Sequence, residues 1–258
     1  MKIHVTAHIP SIKNPVAGQK ISALFLRNES LKDVILIAFY NRSEIEYLDQ
    51  ELLDLFHSYY LFEIKKINRV INFFLYPTYP SKVTGRFSKK ILRHIIKIVK
   101  SNKCTKITFE FTSVFLYASI LKTRLNPEVI LIAHDINFQA MLRLSNSNSI
   151  FKRIFYYLEY WKSKLFEINL FKRKLEIHVL NIKDKKLLIE QNIKKSKIVV
   201  KKPILESWIY KINRSNVSEN TILFMGALNR FENVNGIIWF IENVFHDLVK
   251  KKRIIKTI

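Results

Sequence analysis

The sequence predicts an α/β fold whose main body is a doubly wound parallel sheet. Short apolar runs of strand length alternate with segments of helix length, which is typical of a parallel sheet covered by helices on both faces. The runs are also apolar throughout, as in VILIAFY at residues 34–40 and VILIA at 129–133. A continuous apolar run indicates a strand that is buried on both of its faces.

Each apolar run is interpreted as one strand, and each longer segment between two runs as one helix. We expect strands at residues 3–7, 34–40, 107–111, 129–133, 177–180, 198–200 and 222–225. We expect helices at residues 20–28, 45–56, 88–101, 113–125, 150–174, 183–191 and 235–251.

The composition changes once along the chain, at the polar and turn-rich stretch NRSNVSEN. We therefore expect a first domain over residues 1–205, a linker over 206–219 and the start of a second domain over 220–258. Asn233 or Asn235 can cap the helix of the second part. The apolar face of that helix repeats with helical spacing at Ile237, Ile241, Val244 and Leu248.

This second part is expected to be incomplete, because one helix cannot cover both faces of a strand as apolar as ILFM. Units shorter than about 40 residues rarely hold a core alone. The last nine residues, KKKRIIKTI, have neither a cap nor a turn, and a frameshift in a run of adenines would leave such a tail. The alternative is that the extra strand and helix pack on the first sheet.

The composition indicates a globular, soluble and cytoplasmic protein. Hydrophobic residues make up 48% and charged residues 25% of the 258 positions, which excludes wholesale disorder. Cys104 is the single cysteine, so no internal disulfide can form, and a reducing compartment suits the chain. No segment has the pattern of a signal peptide or the run of about 18 apolar residues that spans a membrane.

The charge is strongly positive, with 44 Lys and Arg against 21 Asp and Glu and a net charge of +23. Such a surplus favours polyanionic partners, namely nucleic acid, anionic lipid headgroups or sugar phosphates. The alternative is a drift in residue usage of the kind that an AT-rich genome produces. Because the basic clusters are spread along the chain, they fit a broad membrane-facing surface better than a nucleic-acid footprint.

Polar side chains follow three of the expected strands. His134 and Asp135 come directly after VILIA, Glu110 lies in ITFEF, and His8 follows the first strand. Ligands of doubly wound folds bind at the carboxyl ends of the strands, and a His–Asp pair is suited to orienting a sugar hydroxyl or transferring a proton. The alternative for each residue is a structural role, as a surface or hydrogen-bonded side chain.

Gly18, in PVAGQK, precedes an expected helix, where a glycine lets backbone N–H groups approach a phosphate. The chain has no glycine motif for dinucleotides or for a P-loop, no nucleophile elbow and no clustered zinc ligands. We therefore expect no metal cofactor and no covalent nucleophile.

Several segments, in their order along the chain, resemble the retaining family 4 glycosyltransferases of the GT-B fold, which have two Rossmann-like domains facing each other across a cleft. The similar segments are HVTAHIP, PVAGQK, VILIAHD, LEYWKSKLFE, EIHVLNIKD and TILFMGALNRFENVNGIIWFIENVFHDL. Together they cover most of the chain, and the last is the most specific. The resemblance implies a GT-B N-terminal domain followed by the first strand and helix of the nucleotide-sugar domain.

The resemblance also implies roles for individual residues. His134 would lie near the anomeric carbon and the acceptor, and Gly18 in the first loop, where Gln19 replaces the usual second glycine. Gly226 would begin the donor domain, and Arg230 is the nearest candidate for binding the donor diphosphate. The paired glutamates that hold the donor would lie beyond residue 258, so weak or no transfer is expected from this polypeptide.

The expected function is therefore that of a glycosyltransferase, or a truncated remnant of one, which moves a sugar from a nucleotide-sugar donor to a surface glycan or lipid-linked acceptor. This activity belongs to bacterial polysaccharide and lipopolysaccharide assembly, and it would place the basic surface against the anionic inner face of the cell membrane. The alternative is a non-catalytic basic module that binds membrane or nucleic acid. Nucleic acid is the less favoured partner, since no recognition helix or aromatic-basic motif is present.

Overall fold

The computed structural model of the 258-residue chain describes residues 1–14, 16–146, 149–204, 206, 209, 211, 222–226, 228 and 231–255. The chain divides into two compact units, Met1–Ser207 and Trp208–Ile258. The first unit holds a seven-stranded sheet in the order β3-β2-β1-β4-β5-β6-β7, in which every pair of neighbours is parallel. This confirms the predicted doubly wound α/β fold, and its Rossmann-like strand order places β1 beside β4.

The strands are short and lie close to their expected positions. They are β1 Lys2–Thr6, β2 Val34–Tyr40, β3 Ser58–Glu63, β4 Lys106–Glu110, β5 Glu128–Ala133, β6 Glu176–Val179 and β7 Ile198–Val200. The helices of the first unit are α1 Ala17–Arg27, α2 Gln50–Leu53, α3 Lys66–Leu75, α4 Ser81–Thr84, α5 Lys89–Ser101, α6 Phe115–Leu125, α7 Asn137–Leu144, α8 Ile150–Phe171 and α9 Ile182–Glu190. Short 3₁₀ turns lie at Arg42–Tyr47, Thr112–Val114 and Lys195–Lys197.

The β2 strand shows why its run is apolar throughout. Its alternate side chains enter two separate hydrophobic clusters, one on each face of the sheet: Ile35, Ile37 and Phe39 in the larger, and Val34, Leu36 and Ala38 in the smaller. The larger cluster also takes residues from α5, α6 and the end of α8, and the smaller takes residues from α1 and α2. Alternate residues of a strand point to opposite faces, so both faces require apolar side chains here.

Three parts of the first unit differ from the sequence-based expectation. The β3 strand was not expected, because it is the half-exposed edge strand SYYLFE and has no continuous apolar run. Residues 45–56 do not form one helix but a 3₁₀ turn and the short α2, since Asp49 accepts the backbone N–H of Leu52 and starts a new turn there. The α3 and α7 helices were also not expected.

The second unit is helical over its described C-terminal part, with α10 Phe231–Phe240, a π-helical turn Ile241–Phe245 and α11 His246–Ile255. The helix starts earlier than expected, so Asn233 and Asn235 lie inside it and do not cap it. The expected strand at 222–225 was wrong, because these residues are irregular and pair with no strand in the described part of the chain. A β-strand is stable only where a neighbouring strand takes up its backbone hydrogen bonds.

Candidate functional site

The carboxyl ends of β1 and β4 form the point where the strand order reverses, since the chain runs outward from β1 to β3 and then returns to start β4 on the other side. Doubly wound folds bind ligands in the crevice at this point. His8, Glu110 and His134 come from the ends of β1, β4 and β5, which are neighbours in the sheet. We take the crevice lined by these ends and by the start of α1 as the candidate site.

The centre of this site is the carboxylate of Glu110, which is only 1% exposed. One oxygen, Oε2, lies 2.9 Å from Nε2 of His4 and accepts a hydrogen bond from the Ser22 hydroxyl at 2.6 Å. The other oxygen, Oε1, lies 2.8 Å from Nε2 of His134. Burial opposes ionisation, but the hydrogen bonds from His134 and His4 outweigh it and hold the pKa of Glu110 well below its usual value of 4.5.

These contacts determine the orientation of His134. An ionised carboxylate can only accept hydrogen bonds, so Nε2 of His134 donates to Glu110 and Nδ1 is the ring nitrogen turned away from it. Nδ1 faces the first turn of α1, where it would lie 3.8 Å from a Cβ atom placed on Gly18, which is the second residue of this helix and does not precede it as expected. The arrangement of a carboxylate behind an imidazole suits a group that accepts a proton or a hydrogen bond from a ligand hydroxyl.

Phe111 covers this histidine from one side. Its ring stacks on the His134 imidazole at a centroid distance of 3.9 Å and meets the His8 ring edge-on at 5.2 Å. The backbone of Phe111 has a φ of 70°, which is unfavourable for a residue with a side chain. Such strain costs of the order of 1–3 kcal/mol and is most frequent at functional sites. The strained backbone places an aromatic wall inside the crevice.

His8 belongs to a second network beside the first. Nη2 of Arg86 lies 3.1 Å from Nε2 of His8, and Nδ1 of His8 lies 3.0 Å from Oε1 of Glu44. Since a guanidinium only donates, Nε2 of His8 accepts and Nδ1 donates to the carboxylate. Burial, together with the charge of Arg86, outweighs the Glu44 hydrogen bond and lowers the pKa of His8, so the ring is held neutral.

Arg86 brings a positive charge to the rim of the crevice. Its Nε donates to the backbone oxygen of Ala7 at 2.9 Å. Burial and the nearby charge of Arg69 lower the pKa of Arg86 to about 10, so the guanidinium is still charged at neutral pH. Burial alone would raise the pKa of Glu44, but the hydrogen bonds from His8 and Asn41 bring it below its usual value. In the crevice, the charged Arg86 and the carboxylate of Glu44 therefore contact the two nitrogens of the neutral His8 ring.

The structure brings together five of the sequence-predicted residues and separates others. His134, Glu110, His8, Gly18 and Gln19 all surround the crevice, where Nε2 of Gln19 reaches Oε2 of Glu44 at 3.5 Å. Asp135 is exposed, and its backbone oxygen accepts a hydrogen bond from the Thr112 hydroxyl. The carboxylate that contacts His134 is that of Glu110.

Five further residues of the site were not predicted: His4, Ser22, Glu44, Arg86 and Phe111. Of these five, Glu44 alone belongs to a pattern that the local sequence shows, because Asn41 and Glu44 form a capping box at the start of a 3₁₀ turn. The others reach the site through strand order and helix docking, which a local pattern does not contain.

Gly226 and Arg230, to which the resemblance assigns the donor side, belong to the second unit. Gly226 lies in a bend after residues 222–225, and the Phe224 ring packs against it, so that a Cβ there would lie 2.9 Å from Cζ of Phe224. Arg230 lies outside the described residues. Within the described part of the chain, no three His, Cys, Asp or Glu side chains are grouped as metal ligands. In the same residues, no helix is long and apolar enough to cross a membrane.

Comparison with known proteins adds no relative: no family model matches the chain, and a search of curated proteins returns no match. The protein class is therefore defined by its own fold, a Rossmann-like α/β sheet with a histidine-carboxylate crevice at the strand-order reversal.

Replacing Gly18 by alanine is expected to disturb the crevice, because the new Cβ would lie 3.2 Å from Cε1 of Phe111, whose ring stacks on His134. Alanine would raise the helix propensity of α1 by up to about 1 kcal/mol, and we expect this close contact to offset the gain. We also expect a shift of the His134 imidazole signals; urea denaturation and NMR of ¹⁵N-histidine measure the two effects. Gly236→Ala is the matched control, since no atom lies within 4 Å of its added Cβ. Unchanged His134 signals in Gly18→Ala would contradict the close approach.

Proposed function

We propose that the chain takes part in sugar transfer, with the crevice binding a hydroxyl-bearing glycan or lipid-linked acceptor beside a nucleotide-sugar donor. The observation that carries the proposal is the placement of His134, with one ring nitrogen held by the ionised Glu110 and the other turned toward Gly18 in the first turn of α1. The resemblance of VILIAHD and PVAGQK to segments of GT-B glycosyltransferases supports the same reading of the site.

In this proposal, Nδ1 of His134 accepts a hydrogen bond from the acceptor or donor sugar and orients it. Glu110 is a positioning residue, because it is buried behind both histidines and does not reach the crevice itself. Phe111 offers an apolar face on which a sugar ring can lie, and Arg86 offers a charge for a phosphate group. A retaining transfer requires such groups to stabilise the charge that develops between sugar and leaving diphosphate.

The proposal includes a peripheral position of the chain on the cytoplasmic side of the cell membrane, where a lipid-linked acceptor would be reached. It includes no metal cofactor. Gly226 and Arg230 are the donor-side residues that the resemblance suggests.

The test is a transfer assay with radiolabelled UDP-glucose and GDP-mannose as donors and octyl glycosides as acceptors. Transfer by this polypeptide is expected to be weak or absent, so any labelled octyl product is compared with a blank without protein, and His134→Ala is expected to lower its rate to that of the blank. The matched control is His57→Ala, because His57 is exposed and precedes β3, at the amino ends of the strands, whereas the crevice lies at their carboxyl ends. An equal loss of rate in both variants would argue against a role of His134.

A second measurement separates acceptor binding from transfer. In ¹⁵N-histidine NMR spectra, methyl glycosides are expected to shift the Nδ1 signal of His134 and to leave that of His57 unchanged. If neither product nor such a shift is found with any of these sugars, the proposal is overturned. Binding of DNA that weakens steeply with salt would then favour a basic binding module.

A further inference from the structure

Two helices of the first unit are oriented opposite to ordinary surface helices, which bury their apolar side. Every apolar side chain of α3 is exposed, and the residue that α3 buries is Asn72. In α8, the middle of the helix buries Glu159, Ser163 and Glu167, while Phe151 and Trp161 are exposed. Both helices therefore turn polar side chains inward and apolar side chains outward.

Hydrogen bonds hold this orientation. Nδ2 of Asn72 donates to the backbone oxygens of Thr84 and Phe87 at 2.9 and 2.6 Å. Glu159 accepts from the backbone N–H and the hydroxyl of Ser81 at 2.7 and 2.8 Å. Rotating either helix to bury its apolar side would leave these polar groups without partners, which is costly.

Glu167 and Ser163 hold α8 in the same way. Glu167 accepts the backbone N–H groups of Asn137 and Phe138 at 3.1 and 3.0 Å, and the Asn137 side chain donates to Ser163 at 2.7 Å. The polar stripe of α8 is thus attached to α7 and α4, and the apolar side of α8 is left facing outward.

The exposed sides of the two helices are continuous. The Phe73 ring of α3 lies 6.3 Å from the Phe155 ring of α8, and Nζ of Lys162 lies 5.7 Å from the centre of the Phe73 ring. Phe151 is 83% exposed and Phe74 is 72% exposed. We call this surface the aromatic face and define it by Phe73, Phe74, Leu75, Phe151, Phe155 and Trp161.

The charge around the aromatic face is positive only. Lys66 and Arg69 lie on α3, and Lys152 and Arg153 lie on α8. α3 contains no Asp or Glu, and the two glutamates of α8, Glu159 and Glu167, are buried, with Glu159 paired to Lys162. Face-to-face contact between two copies would bring these cations together without a carboxylate to offset them, which disfavours self-association. Aromatic and aliphatic side chains bordered by Lys and Arg are the composition of helices that lie in the headgroup region of anionic bilayers.

We propose that the aromatic face docks on a bilayer that contains anionic lipid, with its aromatic and aliphatic side chains inserted at the headgroup level. The face lies next to the crevice: Arg69 donates to Asn41, directly after β2, and its charge acts on Arg86. This docking does not depend on sugar transfer, although it would bring a lipid-linked acceptor to the crevice if the proposed function holds.

The first test is co-sedimentation with vesicles of phosphatidylcholine alone and with about 30 mol% phosphatidylglycerol. We expect binding to the anionic vesicles that weakens with salt, and a reduction of about tenfold or more in Phe74→Ser/Phe151→Ser and in Lys66→Glu/Lys152→Glu. The matched controls lie on α9: Ile182→Ser/Ile189→Ser removes two exposed apolar side chains, and Lys183→Glu/Lys186→Glu reverses two exposed charges. Urea denaturation verifies that each variant is folded.

The second test reports which surface enters the bilayer. In a chain with Trp208→Phe and Trp239→Phe, Trp161 is the remaining tryptophan, and brominated lipid is expected to quench its fluorescence. The proposal is overturned if vesicles bind without quenching Trp161, if α9 controls lose as much binding as the variants, or if neutral and anionic vesicles bind alike. It is also overturned if the chain forms a dimer that Phe74→Ser/Phe151→Ser dissociates.

Discussion

Replacing Glu110 by glutamine is expected to lower the free energy of unfolding at pH 7 by about 2–3 kcal/mol, because hydrogen bonds to a charged group contribute about 1.5–3 kcal/mol and a buried donor left without a partner costs about 1–3 kcal/mol. The carboxylate accepts hydrogen bonds from His4, Ser22 and His134, while a glutamine amide has one oxygen for these three donors and adds an NH₂ group among them. Urea denaturation measures the loss. The same variant should also lose the fixed orientation of His134.

The matched control is Glu128→Gln, at the exposed start of β5, where the carboxylate pairs with Lys106 at the surface. Its effect is expected to stay within about 1 kcal/mol, because exposed ion pairs contribute little. If both variants lose the same unfolding free energy, the buried hydrogen bonds of Glu110 stabilise the fold no more than the exposed ion pair of Glu128 does, and the prediction is wrong.

The stability that Glu110 contributes depends on pH in a defined direction. Its pKa is depressed in the folded state, so the folded state binds fewer protons than the unfolded state near the usual value of 4.5. The contribution is therefore complete above that value and is lost as the pH falls below it. The unfolding free energy of the wild-type chain should fall from pH 5 to pH 3 more steeply than that of Glu110→Gln. Parallel curves would contradict this origin.

Replacing Glu167 by alanine is the second change with a large expected effect, a loss of about 3 kcal/mol or more in the free energy of unfolding. Its side chain is fully buried and accepts the first two backbone N–H groups of α7, from Asn137 and Phe138. Alanine would leave both donors buried without a partner and open a cavity between α7 and α8. Thermal and urea denaturation measure the loss.

The pH dependence of Glu167 has the opposite sign to that of Glu110. Burial outweighs the two backbone hydrogen bonds and raises the pKa of Glu167 to about 7, so the folded state holds a proton that the unfolded state releases. Its contribution is complete below about pH 4.5 and is lost as the pH rises to 7, by about 3 kcal/mol. Glu167→Gln keeps the shape without titrating, and its stability should change less between pH 5 and 8. An unchanged slope in this variant would be incompatible with the raised pKa.

The sheet was predictable because its strands are recognisable from local pattern. The β2 strand begins and ends where the apolar run does, since both of its faces meet a hydrophobic cluster. The β3 strand lacked this signal because an edge strand is half exposed and can carry SYYLFE. The α3 and α8 helices show a related limit: spacing predicts which residues share a face, but not whether that face turns inward.

The carboxylate behind His134 illustrates the limit for the site. Asp135 is the neighbour of His134 in the sequence, but adjacent residues at the end of a strand point to opposite sides. The partner comes from the next strand, where Glu110 pairs with Ile132 in the register of β4 and β5. His4, which is 106 residues away from Glu110, meets the same carboxylate because β1 lies beside β4.

The amino-acid sequence alone is sufficient to predict the layered α/β fold and the edge of the sheet at which polar side chains lie. Both follow from interactions between near neighbours in the chain, since apolar continuity and the alternation of strand and helix are local properties. The pairing of Glu110 with His4, Ser22 and His134, and the outward apolar sides of α3 and α8, come only from the folded chain. They depend on strand order and on helix rotation, which are set by packing and hydrogen bonds between residues far apart in sequence.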